Sequence, residues 1–102
     1  MIIVYIPCKD KQEAEKIVVA LLEKKLIACA NRYTSESNYW WNNKIESKKE
    51  TVILAKTLPT HYNEIEKQVM KLHSYQCPCI LRWNIEGNKE FVKWVSKEVK
   101  MN

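Results

Sequence analysis

The sequence predicts an α+β fold, with a four-stranded antiparallel sheet and helices in the order β-α-β-β-α-β, followed by one more helix at the C-terminus. Three observations predict it. Short apolar runs open the chain and follow its second helical stretch. Two segments between them carry apolar residues at helical spacing. A long polar and aromatic stretch with an asparagine pair at its middle separates those two segments, which is the pattern of a hairpin.

Ile2-Ile3-Val4-Tyr5-Ile6 reads as the first strand, and Pro7 is expected to end it. Asp10-Lys11-Gln12-Glu13 has capping-box spacing and starts a helix whose apolar face is Ala14, Ile17, Val18, Leu21 and Leu22. Residues 27–41 and 44–57 read as strands joined at Asn42-Asn43, because asparagine tolerates positive φ and can close a two-residue turn. The outer part of this hairpin, Thr34-Ser35-Glu36-Ser37 opposite Glu46-Ser47-Lys48-Lys49-Glu50, is polar and suits an arm that protrudes into solvent or onto a neighbour. Pro59 fits the first turn of a second helix, whose stripe is Tyr62, Ile65, Val69 and Leu72 and whose end falls near His73. Residues 77–85 read as the fourth strand, with Pro78 near its start, where a missing donor is tolerated. Gly87-Asn88 makes a turn and an N-cap, and Phe91, Trp94, Val95 and Val99 line the last helix. This order is the ferredoxin-like split βαβ arrangement, in a single domain over residues 1–102.

The formal charge of +5 comes from scattered lysines that never run more than two in a row. That is a solvated surface, and no nucleic-acid partner is expected. No apolar run approaches the roughly 20 residues that cross a bilayer, so no membrane partner is expected. Cys8, Cys29, Cys77 and Cys79 make an even count, but the opening run is no signal peptide, and one glycine with three prolines is too few turn formers for a disulfide scaffold. Reduced thiols and a cytoplasmic setting are the expectation.

The strands are apolar on two sides. Ile2 to Ile6 and Val52-Ile53-Leu54-Ala55 do not alternate, and Trp40 and Trp41, being adjacent, point to opposite faces of a strand. Two helices cover one face only, and a small terminal helix covers part of the other. The remainder is expected to be covered by further copies of the chain, with Trp40 and Trp41 as interface anchors.

The opening MIIVY, the helix exit Leu26-Ile27-Ala28-Cys29-Ala30-Asn31, the stretch Tyr39-Trp40-Trp41-Asn42-Asn43-Lys44-Ile45-Glu46, Ala55-Lys56-Thr57, Leu72-His73-Ser74-Tyr75-Gln76-Cys77-Pro78, and Gly87-Asn88 leading to Phe91 and Trp94 follow one another in an order that resembles the CutA divalent-cation tolerance proteins over essentially the whole chain. The resemblance implies a homotrimer of ferredoxin-like subunits built like the PII signalling proteins. It implies pockets between subunits, lined by Cys29, Trp41, Lys56, His73 and Tyr75, and an association with tolerance to copper and other divalent cations without a defined catalytic reaction. The chain departs from the family pattern at Ile6-Pro7, where threonines are usual, at Asn43 in place of the hairpin glycine, and at Ser74 inside a His-Pro-Tyr motif. Two positions that are often acidic are Gln76 and Cys79, which weakens a hard-cation site and favours softer metals.

In a strand, Cys77 and Cys79 share one face, and with His73 at the preceding helix end they supply part of a Cu(I) or Zn(II) site, to which Cys29 on a neighbouring strand is a further candidate. Against this stands ordinary core packing of free cysteines. For His73 the competing role is that of a helix C-terminal residue interacting with the dipole. His61 is expected to be exposed near a helix start. Cys8 is expected in a loop, where a thiol beside Lys9 can be reactive. The expected function is that of a trimer binding copper or another divalent or soft metal ion, needing no cofactor to fold and catalysing no reaction. The alternative is a PII-like small-molecule sensor or partner-docking trimer, with Trp41, Lys56 and Tyr75 holding an anion or planar ligand.

Overall fold

The computed structural model describes residues 1–101. Four strands, β1 (Ile2–Cys8), β2 (Cys29–Trp41), β3 (Lys44–Thr57) and β4 (Leu81–Asn84), form one sheet in the order β2-β3-β1-β4. All neighbouring strands run antiparallel. Helices α1 (Lys11–Glu23) and α2 (Tyr62–Leu72) lie on one face, a 3-10 turn (Pro59–His61) leads into α2, and α3 (Lys89–Glu98) follows β4. The expected ferredoxin-like order is therefore the observed one.

The core lies between the helices and one face of the sheet. Ile2, Val4, Ile6 and Cys8 alternate along β1 onto that face and meet Ile53 and Ala55 of β3 and Ala14, Ile17, Leu21, Ile65 and Val69 of the helices. The Asp10 side chain accepts the Glu13 N–H at 2.8 Å, as the capping spacing predicts. The Glu13 carboxylate reaches one residue further back than a capping box requires, accepting the Lys9 N–H at 3.0 Å. At its other end α1 closes in a Schellman motif: Leu26 N–H donates to Leu21 O at 3.0 Å and Lys25 N–H to Leu22 O at 2.9 Å. The residue that turns the chain there is Lys25, at φ 56°, where glycine is usual.

β2 begins at Cys29 rather than 27 and β4 ends at Asn84 rather than 85, while the larger departures, at the end of β1 and the start of β4, both come from Pro7. β1 does not stop at Pro7; it pairs Pro7 with Val52 and Cys8 with Thr51. The Pro7 carbonyl turns away from β3 and accepts the Nε2–H of His73 at 2.7 Å. Its nitrogen, which has no hydrogen, points to the same side, so no bond of the β1–β3 ladder is lost. On that side β4 pairs with β1 only up to Tyr5, opposite Leu81. Further pairing would bring Cys79 opposite Pro7, which has no donor and whose carbonyl is taken. β4 therefore starts at Leu81 rather than at residue 77, and Cys77 and Cys79 are exposed on a loop instead of packed in a core strand. Two further corrections follow from burial. His61 is 1% exposed, drawn inside by the tight 3-10 turn, and Cys8 is a fully buried strand residue rather than a loop thiol.

The second face of the sheet carries Ile3 and Tyr5 of β1, Cys29, Asn31 and Tyr33 of β2, Val52, Leu54 and Lys56 of β3, and Leu81 and Trp83 of β4. Tyr33, Leu81 and Trp83 remain exposed there, and Tyr5 and Trp83 stack with ring centroids 6.4 Å apart. Beyond Thr51 the β2–β3 hairpin leaves the sheet and stands alone as the expected arm, closed at Asn42 and Asn43 with φ 49° and 63°, the left-handed pair of a type I′ turn.

Among the described residues, three other than glycine thus hold left-handed backbone. Lys25→Gly should raise stability by about 0.5–1 kcal/mol, since a lysine Cβ is unfavourable there and a glycine is not. Asn43→Gly should give a smaller gain, because asparagine already tolerates the conformation. Urea midpoints of the two variants against the parent chain check both the sign and the order.

Candidate functional site

The hairpin arm and the loop between α2 and β4 enclose a cleft of about 750 Å³ on the second face of the sheet. Alternation along the arm aims Ser37, Tyr39 and Trp41 of β2 and Glu46, Lys48 and Glu50 of β3 into it. Tyr5 and Pro7 form its floor, and Tyr75, Gln76, Cys77 and Cys79 form the wall opposite the arm.

That wall is fixed by the residues at its start. His73 caps α2, its N–H donating to Val69 O at 2.8 Å. The two ring nitrogens of His73 have backbone partners. A carbonyl only accepts, so Nε2 carries the hydrogen that goes to Pro7. An amide N–H only donates, so Nδ1 offers its lone pair to Tyr75 N–H at 3.2 Å. The 3.8 Å approach of Nδ1 to Glu13 Oε1 is then a contact between a lone pair and a carboxylate, not an ion pair. Ser74 N–H donates to Glu13 Oε2 at 2.9 Å. Tyr75 packs its ring on His73 at 4.7 Å and donates its hydroxyl to Glu50 Oε2 at 2.7 Å, across the cleft to the arm. Lys48 Nζ sits 4.3 Å above the same ring. Burial and then the Glu50 carboxylate push the Tyr75 phenol far above its ordinary value, so it stays a donor.

The electrostatics divide the thiols. Cys79 is raised by burial, then by Glu50 and Cys77. Cys8 is pushed up to about 12 by burial and by the carboxylates of Glu13, Glu50 and Asp10, so the reactive thiol expected at that position is a protonated, buried one. Burial alone would raise the Glu13 carboxyl, but hydrogen bonds from Ser74 and from Lys9 N–H outweigh it and hold the group below the ordinary carboxylate value.

The expected site residues fall into four places. Cys77 and Cys79 line the cleft with Trp41 and Tyr75. His73, on the same loop, turns inward instead. Cys8, Glu13 and His73 bring one ligand atom each to within 4.8 Å of one another beneath the loop. Cys29 and Lys56 are cross-strand partners opposite Ile3, past the cleft, where Lys56 Nζ donates to Asn31 Oδ1. Trp40 lies on the opposite side of the arm from Trp41, 72% exposed. Sequence reasoning missed Glu13, Glu50 and Lys48. Glu13 reads only as a helix cap from its spacing, and the other two read as polar hairpin surface.

Glu13 has a folded-state value below its unfolded one, so its contribution is present above the ordinary 4.5 and is lost as pH falls below that. Glu13→Gln should lower stability by about 1.5–3 kcal/mol at neutral pH, the range for a buried hydrogen bond to a charged group. The gap to the parent should close as pH drops below 4.5. Urea unfolding of both proteins across that pH range measures it.

Residues 2–98 match the family model described as CutA1 divalent ion tolerance protein. The chain is 40% identical over 101 residues to the divalent-cation tolerance protein CutA of Pyrococcus horikoshii, covering 98% of this chain and 99% of that one. It is 41% identical over 97 residues to the protein of the same name from Archaeoglobus fulgidus, covering 94% and 95%. The crystal structure of the P. horikoshii protein in 3 M guanidine hydrochloride superposes with a TM-score of 0.94 over 98% of this chain and all of that one, at 40% identity. The PII-like protein CutA from Nostoc, at 22% identity and a TM-score of 0.92 over the full length of both chains, shares the fold.

Proposed function

The chain belongs to the CutA1 divalent ion tolerance family, and from that premise we propose that it is a homotrimeric metal-binding protein of copper or general divalent-cation tolerance, without catalytic activity. The exposed thiols of Cys77 and Cys79 on one wall of the hairpin cleft, with Glu50 on the other, carry this reading. Two thiols supply soft donors for Cu(I), Zn(II) or Cd(II), and the carboxylate balances charge. Cys79 must lose its raised proton to ligate, so affinity rises with pH. The metal is cargo rather than a structural part, because the apolar core between sheet and helices is closed without it.

Two observations support the trimer. Tyr33, Leu81 and Trp83 leave the second sheet face apolar and exposed, as a face that meets another copy would be. Cys29 and Lys56 lie apart from the cleft that holds Trp41 and Tyr75, so a pocket containing all four draws them from two subunits. Trp40 and Trp41 near the tip of the arm are the anchors onto the neighbour. Free thiols at the binding wall suit a reducing compartment such as the cytoplasm.

A second reading, a sensor of a small planar or anionic molecule, draws on the cleft's volume of about 750 Å³ and its Tyr39, Trp41, Tyr75 and Lys48 lining.

Isothermal calorimetry with Cd(II) and Cu(I) should give binding that weakens at least tenfold in Cys77→Ser/Cys79→Ser and strengthens with rising pH. Heats equal to those of the parent reject the cleft as the metal site and leave the sensor reading. Sedimentation equilibrium should return three times the 12.1 kDa chain mass. A stable single chain at micromolar concentration removes the shared pocket.

A further inference from the structure

We infer that Cys8, Glu13 and His73 form a second cation site, buried and separate from the cleft, that takes a borderline divalent ion such as Zn(II), Cd(II) or Co(II). The three residues come from the end of β1, the first turn of α1 and the cap of α2, and their ligand atoms lie within 4.8 Å of one another. Metal–ligand bonds of about 2.0–2.3 Å in tetrahedral geometry separate neighbouring ligand atoms by roughly 3.3–3.6 Å. Glu13 Oε1 and His73 Nδ1 are already at 3.8 Å, so the closure required is small.

The groups around these donors are those that such a site needs. A ligating histidine holds its other ring N–H on a carbonyl or carboxylate, which fixes the tautomer and aims the free lone pair. Here Nε2–H is on Pro7 O, and it is Nδ1, the nitrogen facing Glu13, that keeps its lone pair. The Glu13 carboxylate is oriented by Lys9 N–H on one oxygen and Ser74 N–H on the other. Each oxygen retains acceptor capacity for a cation. Ligation displaces one interaction of ordinary strength, the 3.2 Å bond from Tyr75 N–H to Nδ1, and the weak 3.7 Å contact from Cys8 Sγ to Ile6 O.

Charge selects the ion. As a divalent cation enters, the Cys8 thiol proton leaves to solvent, and thiolate plus carboxylate offset two positive charges. The loaded site is neutral, which a buried location requires. A monovalent Cu(I) would leave one negative charge uncompensated. Imidazole and thiolate also disfavour Mg(II) and Ca(II), which take oxygen donors. The buried site and the cleft therefore differ in preference, and the buried one fills slowly because the Ser74–Cys79 loop must lift to admit the ion.

The test uses Cys29→Ser/Cys77→Ser/Cys79→Ser, which keeps Cys8 as its one thiol, so the outcome does not depend on whether the cleft binds metal. Titration with Co(II) should develop a near-ultraviolet thiolate-to-cobalt charge-transfer band, saturating at one ion per chain and appearing over minutes rather than within mixing. Adding Cys8→Ser should abolish the band. Adding Glu13→Gln, which keeps the thiol and the shape of the side chain, should weaken Co(II) at least tenfold, and it carries the test if the Cys8 variant does not fold. Absence of the band at saturating Co(II), or an affinity unchanged by Glu13→Gln, overturns the assignment.

Discussion

His73 donates its Nε2–H to the Pro7 carbonyl over 2.7 Å, and much of the functional half of the molecule follows from that bond. It takes up the acceptor that β4 would need to extend past Leu81. It fixes the ring tautomer, which lets Nδ1 hold the Tyr75 amide. It therefore sets where the loop leaves the sheet and which way Tyr75, Cys77 and Cys79 face. Both partners of the bond are buried, so removing either would leave the other's polar atom without water, at a cost of about 1–3 kcal/mol. A proline in a strand and a histidine after a helix each look like local punctuation in the sequence. Together they are a tertiary contact 66 residues apart.

The sheet has a different character on its two faces, and the difference divides the roles. The helix-covered face is a closed apolar core with Thr57 satisfied by its 2.6 Å bond to Leu26 O. The other face changes along its length, from the apolar Ile3, Tyr5, Leu81 and Trp83 beside Cys29 and Lys56 to the polar arm around the cleft. An isolated hairpin arm has only its own ladder to hold it. Here Tyr75 is bonded to Glu50 and lies beneath Lys48, so the loop ties the arm to the body.

Element order, the hairpin turn and the helix cap at Asp10 were legible in the sequence because each rests on local chemistry: period, turn preference and a side chain reaching its own backbone. The left-handed pair at Asn42-Asn43 is such a case. The limits of β1 and β4 were not legible, because Pro7 signals a break locally while the sheet tolerates it through an orientation that only His73 explains. Burial was misread for the same reason. His61 looks exposed by its position at a helix start, and a 3-10 turn buries it. Cys77 and Cys79 look like small core residues, and the early end of the ladder leaves them outside. Among the site residues, the cleft pair Trp41 and Tyr75 came together in the chain, whereas His73 separated from the thiols beside it.

That separation has a chemical consequence. Where a carboxylate would make the position after Pro78 suited to hard cations, Cys79 offers a thiol whose proton is held by partial desolvation of the sulfur, then by the Glu50 carboxylate and the neighbouring Cys77. Such a group ligates only ions able to displace a proton from sulfur, which discriminates against Mg(II) and Ca(II) through competition with the proton as well as through softness. Beneath the same loop, Glu13 is held ionised and accepts the Ser74 N–H, so the inner donors hold down the start of the loop. The segment from His73 to Cys79 thus has the thiols on its cleft side and the His73 imidazole on its buried side. Tyr75 links the two sides, its amide on the buried His73 imidazole and its hydroxyl on the Glu50 carboxylate of the arm.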